Sequence, residues 1–176
     1  KLELEIDLVN SELVKESYDE ESYNTLKKII IPNAKEDETY LKLLEEKIFE
    51  FKDTPAGLVI NTNLSDLPPG PHGFHIHEKG SCDPAEKDGK MGAAIAAGGH
   101  FNPNQAPHHG TPTTGHLGDL PILNVDAKGQ AKTSLIAPRL KLADIHGLAV
   151  MIHAGGDNYA DQPKPLGGGG ERIACG

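Results

Sequence analysis

Tryptophan is absent from the 176-residue chain, and phenylalanine and tyrosine together make up only 5% of it. A core built on large aromatic side chains is therefore excluded, and aliphatic residues must supply the interior. No stretch approaches the roughly 18 apolar residues of a membrane span, and the first residues, KLELEID, lack the basic-then-apolar order of a signal peptide. No run of Lys or Arg interrupts a formal charge of −9, which excludes nucleic acid and anionic membrane surfaces as natural partners. Only two cysteines occur, Cys82 and Cys175. They are too far apart for a local CxxC metal site and suit one long-loop disulfide, which points to an oxidising compartment; two unpaired buried thiols are the alternative.

Glycine (20) and proline (13) are plentiful and punctuate short alternating segments. In residues 1–10, Leu2, Leu4, Ile6 and Leu8 alternate with Lys1, Glu3, Glu5 and Asp7, the period of a half-buried strand. Weaker alternation runs through 47–53, 57–64, 73–78, 121–125, 131–137 and 147–154. Turn sequences such as SDLPPGP and DAKGQ separate these segments as in antiparallel meanders and Greek keys, so the expected fold is an all-β sandwich or barrel. At this length one domain, 1–176, is expected. Two long segments, 79–119 and 154–171, exceed ordinary hairpin loops and are candidates for function.

Residues 11–46 differ from the rest. They hold ten acids against five lysines and three of the four tyrosines, Tyr18, Tyr23 and Tyr40. Tyr23, Leu26 and Ile30, then Tyr40, Leu41 and Leu44, fall at helical spacings on either side of Pro32, so two short helices are expected there, although KKIII also suits a strand.

Seven of the nine histidines lie between His72 and His116, with His146 and His153 beyond. In GFHIHE, His75 and His77 stand two apart on a strand, so both imidazoles leave the same face and can chelate one metal. The segment 98–119 adds His100, His108, His109, His116 and Asp119 on one glycine- and proline-shaped loop, a donor set of mostly nitrogen with one anionic oxygen. A metal site follows from these residue types alone.

The blocks GFHIHE, GGHFNP, GHLGDLP, MIHAGGDNYAD and GGGGERIACG, in this order, resemble the signature blocks of the Cu,Zn superoxide dismutase family, especially its bacterial periplasmic branch. The resemblance covers residues 1–10 and 47–176 and makes 11–46 an insertion between the first two strands. It implies an eight-stranded Greek-key β-barrel or immunoglobulin-like sandwich. It also implies copper held by His75, His77, His100 and His153, and zinc held by His100, His109, His116 and Asp119, with His100 shared. HGTP after His109 resembles the family's HxGP pattern, which favours His109 over His108; His72 and His146 align with no ligand block. By the same resemblance Asp157 accepts hydrogen bonds from a copper histidine and a zinc histidine, Cys82 pairs with Cys175, and Arg172 docks the substrate anion while His100 carries a proton to it.

The implied reaction is dismutation of superoxide to dioxygen and hydrogen peroxide by alternating Cu(II) and Cu(I), in the periplasm or another exported setting. Against an average field of −9, local cations must attract the anion, and Lys164 is a candidate helper for Arg172. A protein that stores or delivers copper and zinc without turnover is the competing reading; such a relative would lack a copper ligand or the arginine, and this chain has them all. The chain ends one residue after Cys175, where the family continues its last strand, so a trimmed C-terminus is expected. A homodimer and a protein partner docking on 11–46 are further expectations that the sequence leaves open.

Overall fold

The computed structural model describes residues 49–176, so the strand expected at the start of the chain and the insertion at 11–46 lie outside the described residues. Strands β1 (Phe49–Thr54) and β2 (Gly57–Leu64) form a hairpin whose outer partner is β8 (Ala131–Ala137). A second antiparallel sheet has the order β10 (Arg172–Cys175), β9 (Ala149–His153), β4 (Phe74–His77). Between them in the chain, β3 (Gly70–His72) pairs with β7 (Leu123–Val125), and β5 (Ala85–Lys87) pairs with β6 (Lys90–Gly92). There is no α-helix among the described residues, only three single-turn 3₁₀ segments. The fold is all-β.

Most strands fall on the segments of alternating hydrophobicity. Four did not announce themselves. β3 begins at the end of the SDLPPGP turn sequence and is separated from β4 only by Gly73; β5 and β6 make a small hairpin inside the long segment 79–119; β10 lies in the glycine-rich tail. Each is only three or four residues long. Unlike the equally short β4 and β7, they lie outside any longer alternating segment, and tertiary pairing fixes them instead.

Packing follows from the alternation. Leu58, Ile60 and Thr62 of β2 point inward, and the Thr62 hydroxyl is satisfied by donating to the Ala131 carbonyl (2.8 Å). With Phe74, Ile76, Leu120, Leu123, Leu140 and Ile152 they form the main aliphatic core, and Phe49 stacks on Phe74 at 6.0 Å between ring centroids. All four residues of β4 are buried because both faces of the strand are covered. Phe74 and Ile76 enter the hydrophobic core. His75 and His77 point the opposite way, where β4 is joined to the loops by bridges from His75 to Asp119 and from His77 to His100. β9 repeats the device: Ile152 packs with Phe74, whereas Ala149 and Met151 face a second cluster with Ala94 and Ala97, and His153 shares their side of the sheet. One face of this sheet is core and the other carries the histidines.

Candidate metal centre

Seven of the eight candidate ligand and carboxylate-support residues, His75, His77, His100, His109, Asp119, His153 and Asp157, are buried, although each is polar. Burial of so much polarity is costly unless each nitrogen and oxygen has a partner. In four of the rings the structure satisfies one nitrogen and leaves the other without a hydrogen bond. His75 Nε2 donates to Asp157 Oδ2 (2.8 Å), His77 Nδ1 to the Gly98 carbonyl (3.0 Å), His109 Nε2 to Asp157 Oδ1 (2.8 Å) and His153 Nδ1 to the Gly170 carbonyl (3.2 Å). Because these partners are acceptors, the bonded nitrogen must carry the proton, and in the neutral rings of His75, His77 and His153 the opposite nitrogen presents a lone pair. Those opposite atoms, His75 Nδ1, His77 Nε2, His109 Nδ1 and His153 Nε2, together with His116 Nδ1, are buried without a hydrogen bond. Orphaned lone pairs that converge are the signature of a site built for a cation.

Two groups of donors converge. One is His75, His77, His100 and His153; the other is His75, His100, His109 and Asp119; in each, one ligand atom per residue lies within 4.8 Å of the others. His75 and His100 belong to both. His116, expected in the second group, stands beside it with Nδ1 at 3.7 Å from Asp119 Oδ1, while His100 Nδ1 and His109 Nδ1 are each 2.9 Å from that oxygen. The second carboxylate oxygen, Asp119 Oδ2, accepts from the Gly110 and His116 amides (3.0 and 2.8 Å). Of the adjacent histidine pair, His109 is buried between Asp119 and Asp157, whereas His108 is exposed and 3.1 Å from Asp161. His146 is exposed, and His72 is buried with its two nitrogens on the His153 and Pro68 carbonyls, both at 2.7 Å.

Electrostatics divide the two groups. Burial pushes His75 and His77 down to about 3 and His153 to about 4, so these rings are neutral near pH 7, as nitrogen ligands must be. Burial also opposes charge on His109, but the carboxylates of Asp119 and Asp157 on either side of it prevail and raise it to about 9. The same contacts overcome the effect of burial on Asp119 and Asp157 and hold both carboxyls well below the usual range. The first group is thus purely imidazole, which suits copper, and the second combines imidazole with a carboxylate, which suits zinc.

Above the all-histidine group opens a pocket of about 840 Å³, lined among others by His77, His100, His153, Arg172 and Lys87. β10 places Arg172 directly opposite His153, and its guanidinium donates to the Ala94 and Gly98 carbonyls (2.5 and 2.6 Å). The loop providing those carbonyls is joined to the same strand by the Cys82–Cys175 disulfide, so two links fix Arg172 against it. Lys164 lines a separate depression beside Asp157 and Asn158, and Lys87 occupies the pocket wall instead. Lys87 carried no signal in the sequence, because one of two lysines among the acids of DPAEKDGK has the appearance of any solvated charge.

The fold and this site define a β-sandwich protein with two adjoining donor groups that share His75 and His100 and could each hold a cation. The copper/zinc superoxide dismutase family model matches residues 47–176. A superoxide dismutase [Cu-Zn] of Escherichia coli strain K12 is 60% identical over 126 residues, covering 70% of this chain and 73% of the relative. The Cu/Zn superoxide dismutase structure from Brucella abortus superposes with a TM-score of 0.71 at 51% identity, covering 73% of this chain and 84% of that one. The monomeric copper, zinc superoxide dismutase from Salmonella enterica gives a TM-score of 0.64 at 55% identity, covering 73% and 84%. The chain belongs to the copper/zinc superoxide dismutase family.

Proposed function

We propose that the chain is a superoxide dismutase, with His75, His77, His100 and His153 holding copper and His100, His109, His116 and Asp119 holding zinc. The observation that carries this is the set of five buried, unpartnered imidazole nitrogens, each on a ring found in one of the two donor groups or beside Asp119. Copper bound there supplies the redox chemistry, oxidising one superoxide to dioxygen and reducing a second, with two protons, to hydrogen peroxide.

The residues of the chain do the rest. Arg172, held by two carbonyls at the pocket wall, presents a fixed positive charge to an incoming anion, and Lys87 adds a second cation on the same wall. Glu171 also lines the pocket and opposes them, so the geometry of the cations decides attraction. Of the two rings in both donor groups, His100 lines the pocket and His75 does not, so His100 is the ring placed to hand a proton to the reduced oxygen. Asp157 fixes the orientation of one ring in each group by accepting from His75 and His109. Gly167 lies against that contact with φ of 73°, where a Cβ would run into Asp157 Oδ1 and His109 Nε2. Superoxide consumption by pulse radiolysis on protein of known metal content tests the assignment: a rate that scales with copper is expected. A metal-loaded but slow protein would restore the storage reading.

The disulfide and the bacterial relatives support an exported protein in an oxidising compartment. Among the described residues no helix is long and apolar enough to cross a membrane. We read the chain as one domain with residues 11–46 as an insertion that docks a protein partner, on the strength of its three tyrosines among acids. Deletion of 11–46 that left metal content, oligomeric state and activity unaltered would remove that role. Sedimentation of the full chain tests for a homodimer.

A further inference from the structure

We propose that Arg139 is a positioning residue for the metal held by His100, His109, His116 and Asp119, acting through the main chain of the loop that carries three of these four ligands; the inference rests on the zinc assignment above. Arg139 follows β8 in a turn fixed on both sides, since Ala137 and Leu140 are 2% and 1% exposed and the Leu140 amide donates to the Ala137 carbonyl (3.2 Å). From this anchored turn the guanidinium reaches across to the loop. Nε donates to the Pro112 carbonyl (2.7 Å), and Nη2 donates to the carbonyls of Gly115 (2.9 Å) and His116 (2.7 Å). Its hydrogen-bond acceptors among the described residues are all main-chain oxygens.

The peptide unit between Gly115 and His116 connects this cation to the metal-site carboxylate. Its C=O accepts from Arg139 and its N–H donates to Asp119 Oδ2 at 2.8 Å. The unit is polarised between a guanidinium and a carboxylate, and hydrogen bonds in such a series strengthen one another. Gly110 N donates to the same Oδ2 (3.0 Å), and a Cβ at Gly115 would run into Gly110 N and Asp119 Oδ2, so the loop is folded tightly over the carboxylate. With Oδ2 committed to two amides, Oδ1 is the oxygen turned toward His100 and His109. Arg139 thereby fixes two things at once, the backbone from which His116 projects and the rotation of the Asp119 carboxylate. Lysine offers one point charge and cannot reproduce a fork that spans three carbonyls.

The test measures zinc retention by copper-loaded protein against a chromophoric chelator, and the absorption spectrum after cobalt(II) replaces zinc. Arg139→Met is expected to weaken zinc about 10- to 100-fold and to shift the cobalt bands, with Arg139→Lys falling between it and wild type. Asp53→Ala serves as the control for general loosening, because Asp53 Oδ1 accepts from Leu142 N (2.8 Å) on the same connection without touching the loop; it is expected to keep wild-type zinc affinity. Wild-type affinity and spectrum in Arg139→Met, or equal zinc loss in Asp53→Ala, would overturn the proposal. If Arg139→Met does not fold, wild-type behaviour of Arg139→Lys overturns it instead. His116→Ala separates this inference from its premise. Unchanged zinc affinity in that variant overturns the zinc assignment, whereas weakened zinc there with none in Arg139→Met overturns only the role of Arg139.

Discussion

His75, His77, His109 and His153 each have one nitrogen on an oxygen acceptor and the other without a hydrogen bond, so single substitutions have separable effects. Arg172→Ala removes the fixed cation from the pocket wall without removing a donor atom. It should lower the bimolecular rate with superoxide and flatten its dependence on ionic strength while both metals stay bound; unchanged kinetics by pulse radiolysis would dismiss the docking role. Titration of the metal-free protein gives a second test. His75, His77 and His153 are depressed below 6.5 in the folded protein, so the unfolded chain takes up their protons first, and stability falls as pH drops from 6.5 toward 4. His109 is raised to about 9, so its contribution is complete below 6.5 and is lost as pH rises through 9. The metal-free protein should therefore be most stable near pH 6.5, with the steeper decline on the acid side, where His116, also lowered by burial, makes four depressed imidazoles against one raised. Urea midpoints measured in chelator across that range check it, and a flat profile would contradict it.

At the scale of elements, β4 explains why a strand devotes two of its four positions to imidazole. The strand is sandwiched, Phe74 and Ile76 on the hydrophobic side and His75 and His77 on the side of the donor groups, so the core holds these two imidazoles in place. Phe74→Ala should cost about 3 to 5 kcal/mol of stability. Thermal unfolding of the metal-free protein should show that loss, and weaker metal binding should accompany it. β10 is the other element on which the site depends. It carries Arg172 and Cys175, and the disulfide fastens it to the loop whose carbonyls hold the guanidinium. Cys82→Ser with Cys175→Ser should lower stability by roughly 2 to 4 kcal/mol and reduce the rate more than the metal content. Equal activity per bound copper in the double variant would show that the hydrogen bonds of Arg172 suffice without the bridge.

For the whole molecule, charge sets a problem that composition cannot solve. A chain of −9 repels superoxide on average, yet the wall of its metal pocket carries Arg172 and Lys87. Attraction should consequently be local, and the rate with superoxide should fall as salt screens those cations. Lys87→Ala should reduce that salt dependence, measured by pulse radiolysis, whereas Lys164→Ala should not, because Lys164 lines a different depression.

The sequence by itself determined the chemistry of the centre and the class of the fold. Histidines at fixed intervals, His75 and His77 on one strand face and His100 through His116 on one loop, restrict the site to nitrogen-rich metal ligation, since residue type and a period of two survive in a linear string. Alternation likewise marked β1, β2, β4, β7, β8 and β9. It could not mark β3, β5, β6 and β10, which lie outside any longer alternating segment and exist because a partner strand is there. Nor could it distinguish Lys87 from Lys164 or single out Arg139 in APRLKL. Those roles arise from distance across the fold, where a lysine becomes part of a pocket wall and an arginine meets three carbonyls more than twenty residues away in sequence. Chain order sets which groups can act; packing alone decides which of them meet.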